Sequence, residues 1–153
     1  MTAACVALGL AVPASSSAGI GIKHSFFHTL DGNISCALFQ DKKARRKHHR
    51  KIPGFPGSAR CDLRNHTWTP PPRPKSCPGF VDWGFGTEVT RRGPGHYVCA
   101  GDTVEDPSAA AFGPGSSVTI GRYTCTVLTT SVRCTNNLDG HGFEVSAATV
   151  SLF

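Results

Sequence analysis

The sequence predicts an all-β domain: a small sandwich or barrel of about eight to ten short strands, held by disulfides and with little helix. Three observations predict it. Glycine and proline are frequent, 17 and 11 of 153 residues, which favours many turns over long helices. Around the cysteines, apolar and polar residues alternate with a period of two, as in "GRYTCTV" (121–127), where Tyr123, Cys125 and Val127 share a face. Of the 7 cysteines, all but Cys5 lie between residues 36 and 134, with long irregular spacings and no CxxC pair. That pattern suits a disulfide framework better than a zinc site.

The length suits one domain with a modest core. It opens with "MTAACVALGLAVPASSSAG", short, uncharged and apolar, then rich in small residues. Residues 1–18 are therefore expected to be a secretory signal peptide, cleaved near Ala14 or Ala18, with Cys5 leaving in the cleaved piece. The basic residues that usually precede such a stretch are missing, which points to a start upstream of Met1. The apolar run is too short to cross a bilayer, which takes ~20 residues, and no other segment approaches that length. The mature chain, residues 24–153, is then a single exported β domain with six cysteines.

A repeat organises the strands. "GNISC" (32–36) is followed later by "ARCDL" (59–63), and "GRYTC" (121–125) is followed by "VRCTN" (132–136). Each unit reads as two strands joined by a loop, with a cysteine on each strand. In "TVLTTSVRC" the Thr-Thr-Ser centre suits the hairpin turn. Cross-strand pairing within the hairpins favours Cys36–Cys61 and Cys125–Cys134, leaving Cys77–Cys99; six cysteines allow about 15 connectivities and sequence alone leaves the others open.

The first hairpin is the longer by about the stretch 41–57, which contains "DKKARRKHHRK" (41–51) and "PGFPG" (53–57). The excess reads as an insertion at the hairpin tip. Its like charges repel and it has few apolar residues, so it is not expected to fold by itself. Lengthening the loop costs only roughly 1 kcal/mol of closure entropy, which a disulfide-held fold tolerates.

Further along, "TPPPRP" (69–74) reads as an extended connector. "GHYVCAG" (95–101) reads as a strand, and "DPSAAAFGPG" (106–115) as one helical turn ended by Gly-Pro-Gly. "SVTIGRYTCTVL" and "GFEVSAATVSLF" carry the β-branched and aromatic residues of strands.

In this order, "GNISC", "RCDL", "W-x-PPPRP-x-x-C", "DWG", "YVCAGDT", "C-x(8)-C-x-N" and "GHGF" before a terminal "LF" resemble a small exported actinobacterial family of unknown function. The resemblance covers residues 26–153. It implies secretion, six paired cysteines and a compact domain, and brings no reaction or ligand. It also marks the long basic insert as a departure, because the family pattern has a short loop there. The insert then reads as an addition particular to this protein.

The formal charge is +6, from 16 Lys/Arg and 10 Asp/Glu. Lys42, Lys43, Arg45, Arg46, Lys47, Arg50 and Lys51 lie in one stretch of the insert without an acid, and the remaining chain is slightly acidic. A protein that coats nucleic acid over a broad face spreads its cations over several elements. This one concentrates them, so these seven residues are the candidate anionic-ligand site. The expected partners are anionic envelope polymers or lipid head groups, with nucleic acid bound only non-specifically.

Catalytic candidates are weaker. His141 in "DGHGF" and Asp102 in "AGDT" are the weak candidates, with His96 beside them, and a secreted hydrolase of phosphodiesters or envelope polymers using His141 and Asp102 is the alternative function. A ribonuclease would need His96, His141 and Glu144 to converge. No GxSxG or comparable nucleophile setting occurs, so these residues read first as turn residues. His48 and His49 read as solvated imidazoles, since neighbouring cations oppose metal binding; no metal or cofactor is expected. Trp68, Trp83, Phe85 and Tyr97 are expected to be core rather than an aromatic platform for glycan or peptide; the N-x-[ST] patterns at Asn33 and Asn65 are expected to be chance matches, with Asn33 a turn residue leading into a strand.

Overall fold

Alternation at the cysteines builds two facing sheets in the computed structural model, which describes residues 23–47, 49–52 and 54–153. The expected signal segment, residues 1–18, lies outside the described residues. Among them there are thirteen strands and no helix, more strands than the sequence suggests.

The first sheet has six strands. β1 (His24–Thr29) and β2 (Ile34–Phe39) form a hairpin, β2 pairs with β5 (Ser58–Leu63), β5 with β6 (Asp82–Val89), and β6 with β7 (His96–Ala100). The order across the sheet is β7-β6-β5-β2-β1-β8, with β8 (Ala110–Phe112) at the far edge. The second sheet is a five-stranded antiparallel meander of β9 (Ser117–Ile120), β10 (Tyr123–Val127), β11 (Ser131–Asn136), β12 (Gly142–Ser146) and β13 (Val150–Leu152). β3 (Arg45–Lys47) and β4 (Arg50–Ile52) pair only with each other.

The core lies between the large sheets. Ile34, Cys36 and Leu38 on β2, and Ala59, Cys61 and Leu63 on β5, meet Tyr123, Cys125 and Val127 on β10, Val132 and Cys134 on β11, and Phe143 and Val145 on β12. The two hairpin units pair cysteine directly opposite cysteine, Cys36 with Cys61 and Cys125 with Cys134, and both pairs are disulfides. They touch in mid-core, with 3.7 Å between Cys61 Sγ and Cys134 Sγ. A third bridge, Cys77–Cys99, lies where the connector reaches β7. At that side Gly95 N donates to the carbonyls of Gly142 (3.2 Å) and Phe153 (3.3 Å), drawing the sheets together.

Two expectations are corrected. Residues 110–112 do not make a helical turn; they add to β1 as a parallel strand, and Phe112 stacks on Phe27 with ring centroids 4.9 Å apart. Burial of one aromatic against the core outweighs the helix preference of three alanines. The basic insert also has structure of its own: β3 and β4 form a ribbon, whose legs are already brought together by the Lys42–Phe55 bridge below it.

Candidate anionic-ligand site

The ribbon rises from a tight neck. Lys42 and Phe55 exchange both main-chain hydrogen bonds, each 2.8 Å. Asp41 accepts from Gly57 N at 3.1 Å and pairs with Arg122 Nε at 2.6 Å. Tyr123, fully buried on β10, donates its phenolic hydrogen to the Gly57 carbonyl at 2.7 Å. Burial and then the Asp41 charge push this phenol up to about 12, so it remains a donor. The legs approach too closely for side chains: a Cβ at Gly57 would lie 2.5 Å from Asp41 N and Phe39 O, and one at Gly54 2.7 Å from Lys42 O.

Above the neck, the register sets Arg46 opposite Lys51 and Lys47 opposite Arg50. Of the turn residues, His49 has φ 64°, a left-handed conformation that costs a non-glycine residue roughly 1 kcal/mol; His48 lies outside the described residues. Both strands have three residues, about 10 Å of chain each. Lys42, Lys43, Arg45, Arg46, Lys47, Arg50 and Lys51 are thus gathered on one small lobe, separate from both large sheets.

Sequence reasoning missed the neck: Asp41, Gly57, Arg122 and Tyr123 come from three parts of the chain. One signal was available. In the repeated unit, tyrosine stands in "GRYTC" where "GNISC" has isoleucine, and a buried tyrosine needs a partner for its hydroxyl.

Asp102 is placed apart from the two candidate histidines. Asp102 follows β7 with its side chain 80 % exposed, and accepts from Arg60 Nη1 at 2.9 Å. His96 begins β7, so the strand, roughly 15 Å long, separates it from Asp102. His96 faces Glu88 with 3.6 Å between Nε2 and Oε2. His141 lies near His96 in the backbone, through the Gly95–Gly142 hydrogen bond, and donates its own N–H to Asp139 Oδ1 at 3.2 Å in a local turn. Glu144 is held by Ser131 Oγ at 2.9 Å and Arg133 Nη1 at 3.4 Å. An open hollow that Asp102 lines, with Asp82, Trp83 and Phe85, includes neither histidine.

Other candidates have structural partners. Trp68 and Trp83 are half-buried and donate their indole N–H to the carbonyls of Ser146 and Pro71, each at 2.9 Å. Phe85 lies under the Arg60 guanidinium, 5.4 Å from the ring centre, and Tyr97 contacts both tryptophans. The Asn33 side chain ties two loops, donating to Asn65 O and accepting from Asn65 N, each at 3.0 Å. Cys61, Cys125 and Cys134 bring three sulfurs within 4.8 Å, but all belong to disulfides and offer no thiolate to a metal. Among the described residues no helix is long and apolar enough to cross a membrane.

No curated protein and no solved structure matches the sequence. Residues 4–153 match one family model, so the chain belongs to the family of unknown function DUF6636.

Proposed function

We propose that this is an exported, non-catalytic binding domain that holds an anionic polymer or lipid surface at the cell envelope through the ribbon of residues 42–51. The observation that carries the reading is the ribbon's register. Cationic residues stand directly opposite one another at two successive positions, Arg46 with Lys51 and Lys47 with Arg50. Opposed like charges weaken an antiparallel pair by ~0.2–1 kcal/mol each. A polyanion laid along the ribbon removes that penalty and releases its own counterions. The pinned neck supports the same reading, since it fixes a costly arm to a core with which the arm shares no sheet.

Export is supported by the three disulfides, which persist in oxidising compartments, and by the composition of residues 1–18. Envelope polymers and phospholipid head groups share the chemistry of closely spaced phosphates or carboxylates; nucleic acid would bind without sequence preference.

The test is retention on a phosphate-rich polymer and on vesicles containing anionic lipid, across a salt series. Replacing the seven Lys and Arg of residues 42–51 by Gln is expected to leave the thermal transition in place and abolish retention on both at low salt. Retention by the polymer alone would assign the source as polymer, and by vesicles alone as lipid. Undiminished retention by the Gln variant would overturn the reading.

A further inference from the structure

The largest exposure of a bulky apolar side chain among the described residues is that of Phe80, at 89 %. Single exposed apolar residues are ordinary; this one is unusual in how firmly its loop is held. Phe80 sits in a turn closed by Val81 N donating to Pro78 O at 3.3 Å. Arg73 Nη1 donates to both Pro78 O (2.6 Å) and Val81 O (2.7 Å). Cys77–Cys99 bolts the loop to β7, and Cys77 N donates to Pro74 O at 2.9 Å. A side chain carried by such a loop loses little freedom on docking, as interface anchors require.

Beside this knob lies the open hollow of about 600 Å³ lined by Arg73, Asp82, Trp83, Phe85 and Asp102. It has aromatic walls and two exposed carboxylates. The knob side carries the complement: an exposed phenyl ring for the aromatic walls and the exposed cation of Lys75 for a carboxylate. Knob and hollow adjoin through Arg73 and Asp82. A surface that carries both halves of a complementary contact side by side satisfies both within a single pair of copies when the two are related by a two-fold axis.

We propose that two copies of the chain pair in this way, each placing Phe80 in the other's hollow against Trp83 and Phe85, with Lys75 of one copy facing Asp82 of the other. The occupant is a second copy because both halves of the contact, apolar and charged, are present on one patch. The arrangement leaves the ribbons free. Val89, at the far end of β6, pairs with Ala59 beside the ribbon neck, and the eight residues of β6 set Phe80 roughly 25 Å from it. The pair would therefore present two cationic arms, which raises avidity for a polyanion without any new contact.

Sedimentation velocity of the mature chain, at concentrations up to about 0.2 mM, tests the proposal. The unaltered protein is expected to show a concentration-dependent monomer–dimer equilibrium, and Phe80→Ser to weaken it about tenfold or more. Because Phe80 is exposed, this variant keeps the fold, which its thermal transition verifies. Lys75→Glu and Asp82→Lys should each weaken pairing, and an equimolar mixture of the two should restore it, since the mixed dimer regains both charge pairs. A monomer throughout the range, a Phe80→Ser dimer as tight as the original, or a mixture no tighter than either variant alone would overturn the proposal.

Discussion

The Tyr123 hydroxyl and the Gly57 carbonyl, 2.7 Å apart, join the second sheet to a leg of the insertion that grows from the first. Tyr123→Phe keeps the ring's packing and leaves a carbonyl without its donor at a buried site. The expected cost is about 1–2 kcal/mol in denaturant unfolding. The loss should be local as well as global: the amides of Lys42 and Phe55, which bond each other across the neck, should exchange with solvent faster. Unchanged exchange there would mean the neck is held by the Asp41 contacts alone.

Exposure orders the disulfides by their response to a mild thiol reductant. Cys36, Cys61, Cys125 and Cys134 are at most 1 % exposed, whereas Cys99 is exposed on edge strand β7. Thiolate attack needs access. Alkylation and mass spectrometry of the folded, partly reduced protein should therefore label Cys77 and Cys99 first, with the core pairs labelled only under unfolding conditions. Early labelling of Cys125 or Cys134 would show that the two sheets part locally in the native state.

What the sequence made legible follows from which interactions are local. The period of two around Cys36, Cys61, Cys125 and Cys134 comes from strand geometry, so the hairpin units and the all-β class could be read without coordinates. Thr129 and Thr130 do sit between β10 and β11, as the hairpin reading of "TVLTTSVRC" requires. β8 was hidden because its strand state depends on Phe112 finding Phe27, far away in sequence. β3 and β4 were hidden because composition arguments weigh burial and charge, whereas a short ladder is held by main-chain hydrogen bonds. The neck, and the hollow beside Phe80, are built from segments that no local pattern links.

The pattern Arg-Cys-Asp on β5 puts Cys61 in the core and both charged residues on the opposite face, where the loop of residues 101–105 covers them. Asp62, 3 % exposed, receives Arg60 Nε (2.8 Å) and Nη2 (2.9 Å), Val104 N (3.0 Å) and Thr103 Oγ1 (3.2 Å). Burial works against the Arg60 charge, and the hydrogen bonds to Asp62 and Asp102 more than offset it. Arg60→Met strands a buried carboxylate and should cost about 3–5 kcal/mol in denaturant unfolding. Adding Asp62→Asn should recover part of that loss. Asp102→Ala, which removes a largely exposed partner, should cost under ~1 kcal/mol. Equal losses from Arg60→Met and Asp102→Ala would show that exposure does not separate the two acidic partners.

His96 and Glu88 give the fold a pH-dependent increment. The Glu88 carboxylate raises the His96 value above its ordinary 6.5, against the opposing effect of burial. Burial opposes the Glu88 charge, but His96 and Ser58, aided by the Arg60 charge, outweigh it and hold Glu88 below its ordinary 4.5. A histidine raised on folding contributes fully below its unfolded value, and its contribution fades as pH rises through the folded one. A carboxylate lowered on folding contributes fully above its unfolded value, and its contribution fades as pH falls through the folded one. The two overlap fully between pH 4.5 and 6.5. The His96 side chain is 49 % exposed, so solvent screening keeps the increment under ~1 kcal/mol. His96→Gln should lower the unfolding midpoint at about pH 5.5 and leave it nearly unchanged at about pH 9, where the native histidine has lost its charge. A midpoint lowered equally at both pH values would assign His96 a packing role and exclude the ion pair as the source of the stability.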